Sequence, residues 1–151
     1  MKNKMFIFML LAAVYTFASA QTGEKSVGLS TGFNTDLGIE HPNWGIHFGY
    51  NFTDRFRIAP SFDYYAPAHN TVWDINLDAH YFLVTGNKFT VYPVVGASVL
   101  YRHNLKAGAN LGAGVDYELS SHIALVLQAK YQFLIKHTDY ILFSIGCNYL
   151  F

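Results

Sequence analysis

The sequence lacks the features that several classes of protein require. Its single cysteine, Cys147, excludes an intramolecular disulfide framework. Only 13% of the residues are charged, and the ten basic ones are balanced by ten acidic ones, so there is no basic stripe for nucleic acid. Past residue 20, no apolar run reaches the roughly 18 residues that a membrane-spanning helix needs. These absences exclude a disulfide scaffold, a nucleic-acid-binding protein and a helical membrane protein.

The first 20 residues have the three parts of a secretory signal peptide. Lys2 and Lys4 give a positive start, an apolar segment follows, and Ala18-Ser19-Ala20 forms a small-residue cleavage site. Without this segment the chain has eight basic and ten acidic side chains, and its length fits one domain. We therefore expect a signal peptide over residues 1–20 and one exported domain over residues 21–151.

What the sequence has in abundance is aromatic residues, 17% of the total, in segments where apolar side chains alternate with small or polar ones. In the segment 107–118, apolar residues occupy every second position, and glycine, asparagine and acidic residues lie between them. The segment 123–133 repeats this alternation after the turn Leu119-Ser120-Ser121-His122. Because successive side chains of a strand point to opposite faces, we predict a hairpin with one apolar face and one polar face.

The same period of two recurs along the whole exported chain. It predicts eight strands, at about residues 26–35, 44–52, 56–65, 73–81, 89–102, 107–118, 123–133 and 138–151. Short segments rich in glycine, asparagine, aspartate or proline separate them, and no segment has the helical period. We predict an all-β fold, an eight-stranded antiparallel up-and-down barrel, because closing the sheet removes its exposed edges.

Two kinds of eight-stranded barrel fit this pattern, and they differ in whether the apolar face of the sheet points into the barrel or outward. A soluble barrel fills its interior with large apolar residues, whereas a transmembrane barrel turns them towards lipid and has a polar lumen. Roughly 40 side chains lie on the apolar face, Trp44, Phe48 and Phe143 among them, and they would not fit inside eight strands. The other face is mainly glycine, serine, alanine and asparagine. The pattern therefore favours the transmembrane barrel.

The aromatic residues support the same choice, because an up-and-down path sorts them into two groups by height. One group is Phe52, Phe56, Tyr81, Phe89, Tyr117, Tyr149 and Phe151, and the other is Phe33, Trp44, Tyr64, Trp73, Tyr101 and Phe133. Amphipathic rings favour the two membrane interfaces, so we predict two aromatic belts. Pro60 and Pro93 remove one ladder hydrogen bond each, and at both we expect a bulge or a strand end.

Three strand segments carry a resemblance to a known family. They are Arg57-Ile58-Ala59-Pro60-Ser61-Phe62-Asp63-Tyr64-Tyr65, Tyr92-Pro93-Val94-Val95-Gly96-Ala97 and Asn110-Leu111-Gly112-Ala113-Gly114-Val115-Asp116-Tyr117-Glu118-Leu119. They resemble the strand signatures of the small outer-membrane β-barrels of the porin and OmpA-like superfamily. Tyr149 and the terminal Phe151 resemble the signal that such proteins present to the barrel-assembly machinery. The resemblance implies an outer-membrane location and contact with outer-membrane lipid, and it names no substrate.

The charged residues of the polar face are the only candidates for a site. They are Arg57, Asp63, Asp74, Asp78, His80, Arg102, Asp116, Glu118 and Lys130, with His47 near them. Because an unpaired buried ion is costly, we predict that they pair across a narrow lumen as a charge network. A conducting or gated pore is the alternative to a plugged lumen.

Three other functions have weaker signals. Asp74, Asn76, Asp78 and His80 share one strand face, but successive members are about 6.6 Å apart, so a metal ion would need ligands from neighbouring strands. Lipid-modifying barrels resemble a His-x-Ser arrangement, and here the nearest approach is His137-Thr138-Asp139. Surface binding would depend on the loop 36–43, with Glu40, His41 and the adjacent Trp44.

Taken together, these patterns predict an integral outer-membrane barrel with a structural or porin-like role, such as envelope integrity or passage of small solutes. An outer-membrane lipid-modifying enzyme and a surface-binding barrel are the alternatives. We expect no catalysis, no cofactor, no bound metal and no nucleic-acid partner. A monomer is the expected state of the barrel.

Overall fold

The computed structural model describes residues 23–37, 41–66, 71–136 and 139–151, so the predicted signal peptide lies outside the described residues. Nine β-strands occupy these ranges: β1 (Lys25–Asn34), β2 (Asn43–Thr53), β3 (Phe56–Tyr65), β4 (Val72–Tyr81), β5 (Val84–Thr85), β6 (Phe89–Arg102), β7 (Asn104–Ser120), β8 (Ile123–Leu134) and β9 (Tyr140–Leu150). In the same ranges, no helix has the length and hydropathy needed to cross a bilayer.

The strands form one antiparallel sheet that closes on itself. Each long strand pairs with the next along the chain, β4 pairs with β6, and β9 returns to pair with β1. The two-residue strand β5 lies beside the start of β6. Eight long strands therefore make a complete cylinder, which confirms the predicted eight-stranded up-and-down barrel.

The cylinder has two ends, which we call the terminal rim and the loop rim. The terminal rim holds both ends of the described chain, where Lys25 N donates to Phe151 O at 3.0 Å, and the connections 54–55, 82–88 and 121–122. The loop rim holds the described residues 35–37, 41–42, 66, 71, 103, 135–136 and 139. Strands account for most of the described residues.

The apolar face of the sheet points outward and the polar face points into the lumen. Trp44 is 63% exposed and Leu127 is 55% exposed, whereas Asp116 and Lys130 are buried. The alternation of side chains between the two faces explains this arrangement, because every strand keeps the same phase around the closed sheet. The predicted orientation, with large apolar residues outside, is confirmed.

Aromatic rings mark both ends of the apolar surface. At the loop rim, Trp73 and Tyr101 stack with ring centroids 5.3 Å apart. At the terminal rim, Phe89 and Tyr117 lie 4.7 Å apart. Since registered strand pairs hold these residues at matched heights, the rings form the two belts that the sequence predicted.

Some strand ends and both prolines differ from the sequence-based expectation. Strand β7 begins at Asn104, which leaves His103 alone between β6 and β7, where the sequence predicted no strand over residues 103–106. Pro93 lies inside β6 and pairs with Ala113 in an unchanged register, so the expected bulge or strand end is absent there, although the β4–β6 ladder ends at the adjacent Val94. At Pro60 the expectation of a bulge or strand end is wrong. The β2–β3 register is unchanged on both sides of it, and β2 forms no bridge there at Phe48 and Gly49.

Candidate functional site

The lumen contains most of the charged residues that the sequence singled out. Seven of the nine are buried: Arg57, Asp63, Asp74, Asp78, His80, Asp116 and Lys130. The other two, Arg102 and Glu118, lie near opposite rims at the ends of β6 and β7. The seven buried residues are arranged in layers along the barrel axis, and side-chain amides connect neighbouring layers.

Lys130 is the cation of the central layer. Its Nζ donates to Asp78 Oδ2 at 2.8 Å. Asn110 Nδ2 donates to the other oxygen of Asp78 at 2.8 Å and to Asn76 Oδ1 at 2.7 Å. Strands β4 and β8, which carry Asp78 and Lys130, are not neighbours in the sheet, so this ion pair crosses the lumen.

Asp63 and Asp74 lie side by side on β3 and β4, one layer closer to the loop rim. Asn43 Nδ2 donates to Asp63 Oδ1 at 2.7 Å, and Asn76 Nδ2 donates to Asp63 at 3.3 Å and to Asp74 at 3.2 Å. Gln132 Nε2 donates to Asp74 Oδ2 at 2.8 Å. Side-chain amides therefore replace water around two carboxylates that have no ion-pair partner in the described part of the chain.

Arg57 closes the lumen on the side of the terminal rim. Its Nη1 donates to Asp116 Oδ2 at 2.7 Å, and its Nε donates to Asn51 Oδ1 at 2.8 Å. Tyr92 OH donates to Asp116 Oδ1 at 2.6 Å. The guanidinium carbon of Arg57 lies 4.7 Å from the centroid of the Phe82 ring, which is a cation–π contact. The Arg57–Asp116 ion pair, the Tyr92 hydroxyl and the Phe82 ring thus pack against one another.

Two histidines, His47 and His80, line the same small cavity as Arg57 and Lys130. The His80 ring stacks on Tyr92 with centroids 4.5 Å apart, and its Nε2 lies 3.5 Å from Gln128 Nε2. His47 Nε2 contacts Asn148 Oδ1 across strands that are separated by β1. Both rings therefore fill space inside the barrel as well as carrying polar atoms.

Arg102 and Glu118 lie at the two mouths of the lumen. Arg102 Nη1 forms an ion pair with Asp36 Oδ2 at 2.8 Å at the loop rim. Glu118 is exposed at the terminal rim, and none of the ion pairs in the described ranges includes it. These two residues are in the expected strands but lie outside the hydrogen-bonded layers of the lumen.

Large apolar side chains fill the lumen near the loop rim. The buried cluster consists of Tyr65, Val72, Leu100, Leu134, Tyr140 and Leu142, and Leu37 packs against it. We call these seven residues the apolar plug. The six buried members occupy lumen-facing positions at or near the ends of their strands. The polar lumen expected from the sequence is therefore capped by an apolar layer at this end.

The packed side chains of the described residues leave a small cavity inside the lumen and a wider space at one rim. A cavity of about 40 Å³ lies near His47, His80, Ser61 and Lys130. A wider space of about 330 Å³ opens at the terminal rim, where Arg57 and other polar residues line it. The first has room for one water or a few, because a buried water needs at least about 10–15 Å³ of such volume.

The arrangement holds its buried charges in ion pairs and in hydrogen bonds to side-chain amides. Within the described ranges, no group of three or more His, Cys, Asp or Glu side chains is placed to hold a metal ion. Ser121 Oγ lies 2.9 Å from His122 Nδ1, but these two are neighbours in an exposed turn. Of the predicted surface loop, residues 38–40 lie outside the described ranges, and His41 Nδ1 lies 3.2 Å from Ala66 O.

Sequence reasoning missed the uncharged members of the lumen. Asn43, Asn110 and Gln132 connect the carboxylates, and Phe82 folds from a turn into the terminal end of the lumen. The phase of the alternation was the available signal for the three amides, because they share a face with the charged residues on their strands. Nothing in the period of two indicates where a turn residue such as Phe82 packs.

Comparison with known proteins identifies the family to which the sequence is similar. The family described as "Outer membrane protein beta-barrel domain" matches residues 5–151. No curated protein matches the sequence significantly.

Solved structures of outer-membrane proteins share the fold. The N-terminal barrel of OprF from Pseudomonas aeruginosa is 18% identical with a TM-score of 0.73, and the match covers 86% of this chain and 98% of that one. A major outer membrane protein from Thermus thermophilus is 11% identical, with a TM-score of 0.65 and coverage of 87% and 100%. Ail, the attachment invasion locus protein of Yersinia pestis, is 14% identical, with a TM-score of 0.60 and coverage of 87% and 100%.

The surface and the comparisons lead to one conclusion. An outward apolar band between two aromatic belts is what a bilayer requires of a closed barrel. The family match extends over nearly the whole chain, and the structural matches are to outer-membrane barrels. The chain therefore belongs to the outer membrane protein β-barrel family, is OmpA-like in fold, and resides in the outer membrane.

Proposed function

We propose that this protein is a closed structural barrel, which contributes to the integrity of the outer membrane and conducts no solutes. The observation that carries the proposal is the packing of the lumen in successive layers. The apolar plug fills one end, side-chain amides and carboxylates fill the middle, and the Arg57–Asp116 pair with Phe82 fills the other end. An eight-stranded barrel is just wide enough for its own side chains to fill.

The energetics of the ion pairs support a lumen that stays closed. A solute on its way through would have to separate Lys130 from Asp78 and Arg57 from Asp116. Breaking a buried pair by removing one partner typically costs about 3–5 kcal/mol, because the remaining charge is left without compensation. Arg57 and Asp116 both line the wide space at the terminal rim, so the ion pair between them borders this space.

Single-channel recording in planar bilayers tests the proposal. We expect the purified full chain to give no steady unit conductance, while heat-modifiable migration of the same sample shows that the barrel is folded. A variant that thins all three layers, Arg57→Ser/Lys130→Ser/Tyr140→Ala, serves as the positive control and is expected to conduct. A reproducible channel in the unmodified protein would overturn the closed-barrel role and favour porin-like passage.

We propose, as part of the same role, that the protein carries out no catalysis. The carboxylates of Asp74, Asp78 and Asp116 each accept a hydrogen bond from a neighbouring side chain, and a nucleophile would need a base that is free to take its proton. Mass spectra of lipid A from cells with and without the protein are expected to be the same. A change in the acyl or phosphate pattern that depends on expression would show a lipid-modifying activity instead.

We also propose that the end of β9 is what the barrel-assembly machinery recognises. Tyr149 and Phe151 are exposed aromatic residues at the terminal rim, and their rings lie 6.2 Å apart. Phe151→Ala is expected to lower the amount of protein in the outer membrane without changing the stability of the refolded barrel. Phe133→Ala, which removes an equally exposed ring at the loop rim, is the matched control. Equal losses from both variants would contradict the proposal.

A further inference from the structure

Two buried carboxylates of the lumen have no cation beside them. Asp63 and Asp74, which are 4% and 0% exposed, lie opposite each other across β3 and β4. The ion pairs of the described ranges include neither of them, although the other two buried aspartates of the lumen are both paired. An unpaired charge is costly to remove from water, and two neighbouring carboxylates also repel each other. Two negative charges of this layer are therefore uncompensated.

Three oxygen atoms beside these carboxylates have no hydrogen-bond partner among the described residues. They are Asp74 Oδ1, Asn43 Oδ1 and Gln132 Oε1, and all three side chains are 0% exposed. A carboxylate or amide oxygen accepts hydrogen bonds and donates none, so each of them needs a donor or a cation. Because buried polar atoms are nearly always paired, three such acceptors in one layer point to a bound species.

The two amide oxygens lie close to the carboxylates. Asn43 Nδ2 is 2.7 Å from Asp63 Oδ1, and Gln132 Nε2 is 2.8 Å from Asp74 Oδ2. Since the oxygen and nitrogen of one amide group are about 2.2 Å apart, each amide oxygen lies within about 5 Å of a carboxylate oxygen. Two oxygen ligands of one Ca²⁺ ion are also at most about 5 Å apart, because each lies about 2.3–2.6 Å from the ion. The spacing is therefore compatible with a shared cation.

The ligands come from several strands. The sequence showed that a metal ion beside Asp74 would need ligands from neighbouring strands, and the barrel supplies Asn43 from β2, Asp63 from β3 and Gln132 from β8. We call these four residues the lumen oxygen site. The described ranges contain no cluster of three or more acidic, cysteine or histidine ligands, so this site depends on its amide oxygens as well as its two carboxylates.

The chemistry of the lumen oxygen site favours calcium. Carboxylate and carbonyl oxygens suit Ca²⁺ and Mg²⁺, whereas zinc and copper sites use nitrogen or sulfur ligands. Mg²⁺ usually keeps several waters and needs a nearly regular octahedron, but Ca²⁺ accepts irregular sets of protein oxygens. Two carboxylates balance the charge of one divalent ion. Because the site is buried among packed side chains, Ca²⁺ is the divalent ion that fits it best.

We propose that the lumen oxygen site binds one Ca²⁺ ion. The two carboxylates neutralise the ion, and the free amide oxygens of Asn43 and Gln132 are neutral ligands. Tyr65 pairs with Asn43 and Tyr140 pairs with Gln132 in the strand register, and both hydroxyl groups are buried without a partner in the described ranges, so they offer further neutral oxygens. The ion connects β2, β3 and β4 with β8, which is adjacent to none of them in the sheet. The proposal does not depend on whether the barrel conducts.

Metal analysis of the full chain tests the proposal. The chain is refolded in detergent with calcium, because the site is buried, and gel filtration then removes loosely bound ions. We expect one Ca²⁺ ion per chain. In lipid vesicles, the urea concentration at the midpoint of unfolding should be higher with calcium than with a chelator, because an ion bound only by the folded state stabilises it. The same concentration of Na⁺ or Mg²⁺ should raise this midpoint less.

Variants of the two carboxylates locate the site. Asp63→Asn and Asp74→Asn keep the shape of the side chain, and each should weaken calcium binding at least about 10-fold, because calcium affinity depends on the charge of the ligands. With a chelator present, both variants are expected to be as stable as the parent or more stable, because each removes an uncompensated buried charge. With calcium present, both should be less stable than the parent.

A matched control removes two carboxylates elsewhere. Asp54→Asn/Glu118→Gln changes exposed acidic residues at the terminal rim and is expected to bind calcium as the parent does. Asn43→Leu removes an amide oxygen without changing the charge, and it should also weaken binding. Heat-modifiable migration checks that each variant folds.

Several results would overturn the proposal. A parent protein that retains no calcium would do so, and it would favour a proton held between the two carboxylates. Equal loss of binding in the terminal-rim control would show that the calcium is bound at the surface. Unchanged binding by Asp74→Asn or by Asn43→Leu would show that the ion is not held by the lumen oxygen site. Equal stabilisation by Na⁺, Mg²⁺ and Ca²⁺ would indicate a general effect of salt.

Discussion

The ion pair between Lys130 and Asp78 allows a sharp test of how the lumen is held together. The two side chains are 4% and 3% exposed, and the Nζ–Oδ2 distance is 2.8 Å. In a medium of effective dielectric constant 20, the attraction at that distance is about 6 kcal/mol, and desolvation of the two ions offsets a large part of it. Lys130→Met keeps the volume of the side chain and leaves the Asp78 carboxylate without its cation.

The expected loss of unfolding free energy for Lys130→Met is about 3 kcal/mol. Removing one partner of a buried pair typically costs about 3–5 kcal/mol. The lower end applies because Asp78 keeps its 2.8 Å hydrogen bond from Asn110. Adding Asp78→Asn to Lys130→Met should restore part of the lost unfolding free energy, because the double variant no longer contains a buried carboxylate without its cation.

Reversible urea unfolding in lipid vesicles measures these differences, and the fluorescence of Trp44 and Trp73 follows the transition. Asp74→Asn is the matched control, because Asp74 is equally buried but has no ion pair in the described part of the chain. We expect Asp74→Asn to be neutral or stabilising, within about 1 kcal/mol. If Lys130→Met is also neutral, or if the double variant is worse than Lys130→Met, the lumen is not held by this pair.

Three further predictions follow from the packing of the wall, and the same unfolding assay measures them. Leu142→Ala should destabilise by about 2–5 kcal/mol, because it opens a cavity in the apolar plug. Leu127→Arg places a charge on the lipid face and should cost about 2–4 kcal/mol if that position is near the bilayer midplane. Gly32→Ala should prevent normal pairing of β1 with β9, because its β-carbon would overlap the carbonyl oxygen of Phe143, and a parent-like stability would contradict this contact.

The architecture was predictable because one physical rule governs almost every residue. The period of two assigns each side chain to the lumen or to the lipid, and the sequence keeps that phase from Val27 to Tyr149. Closure then follows from the cost of exposed edges, and orientation follows from the size of the side chains on each face. Local sequence patterns are therefore enough to predict the barrel, its aromatic belts and the strands that carry the charged residues.

The partners inside the lumen were not predictable in the same way. Pairing of Lys130 with Asp78, and not with Asp63 or Asp74, depends on how far strands are staggered around the cylinder. A sequence without coordinates does not give that stagger. The apolar plug was missed for a different reason: Leu100, Leu134 and Tyr140 lie at lumen-facing positions, but the lumen-facing side was expected to be mainly small and polar.

Pro60 shows how a closed sheet accommodates a residue that seemed to require a defect. Its missing N–H faces β2, where no bridge forms at Phe48 and Gly49, while the ladder to β4 continues through Leu77. Strand β3 thus lacks two bridges to β2 next to Pro60, but its register with β2 is the same before and after the proline. A bulge was expected because proline usually interrupts a strand, but the neighbouring ladders hold this one in line.

The pairing of β1 with β9 has a consequence for the order of events during biogenesis. Its register joins Ser26 to Leu150, two residues near opposite ends of the described chain. Contacts of such long range form slowly, because the loss of chain entropy precedes the gain from pairing. Until β1 pairs with β9, each of these two strands has an unpaired edge. The nascent sheet must then be shielded from pairing with other chains.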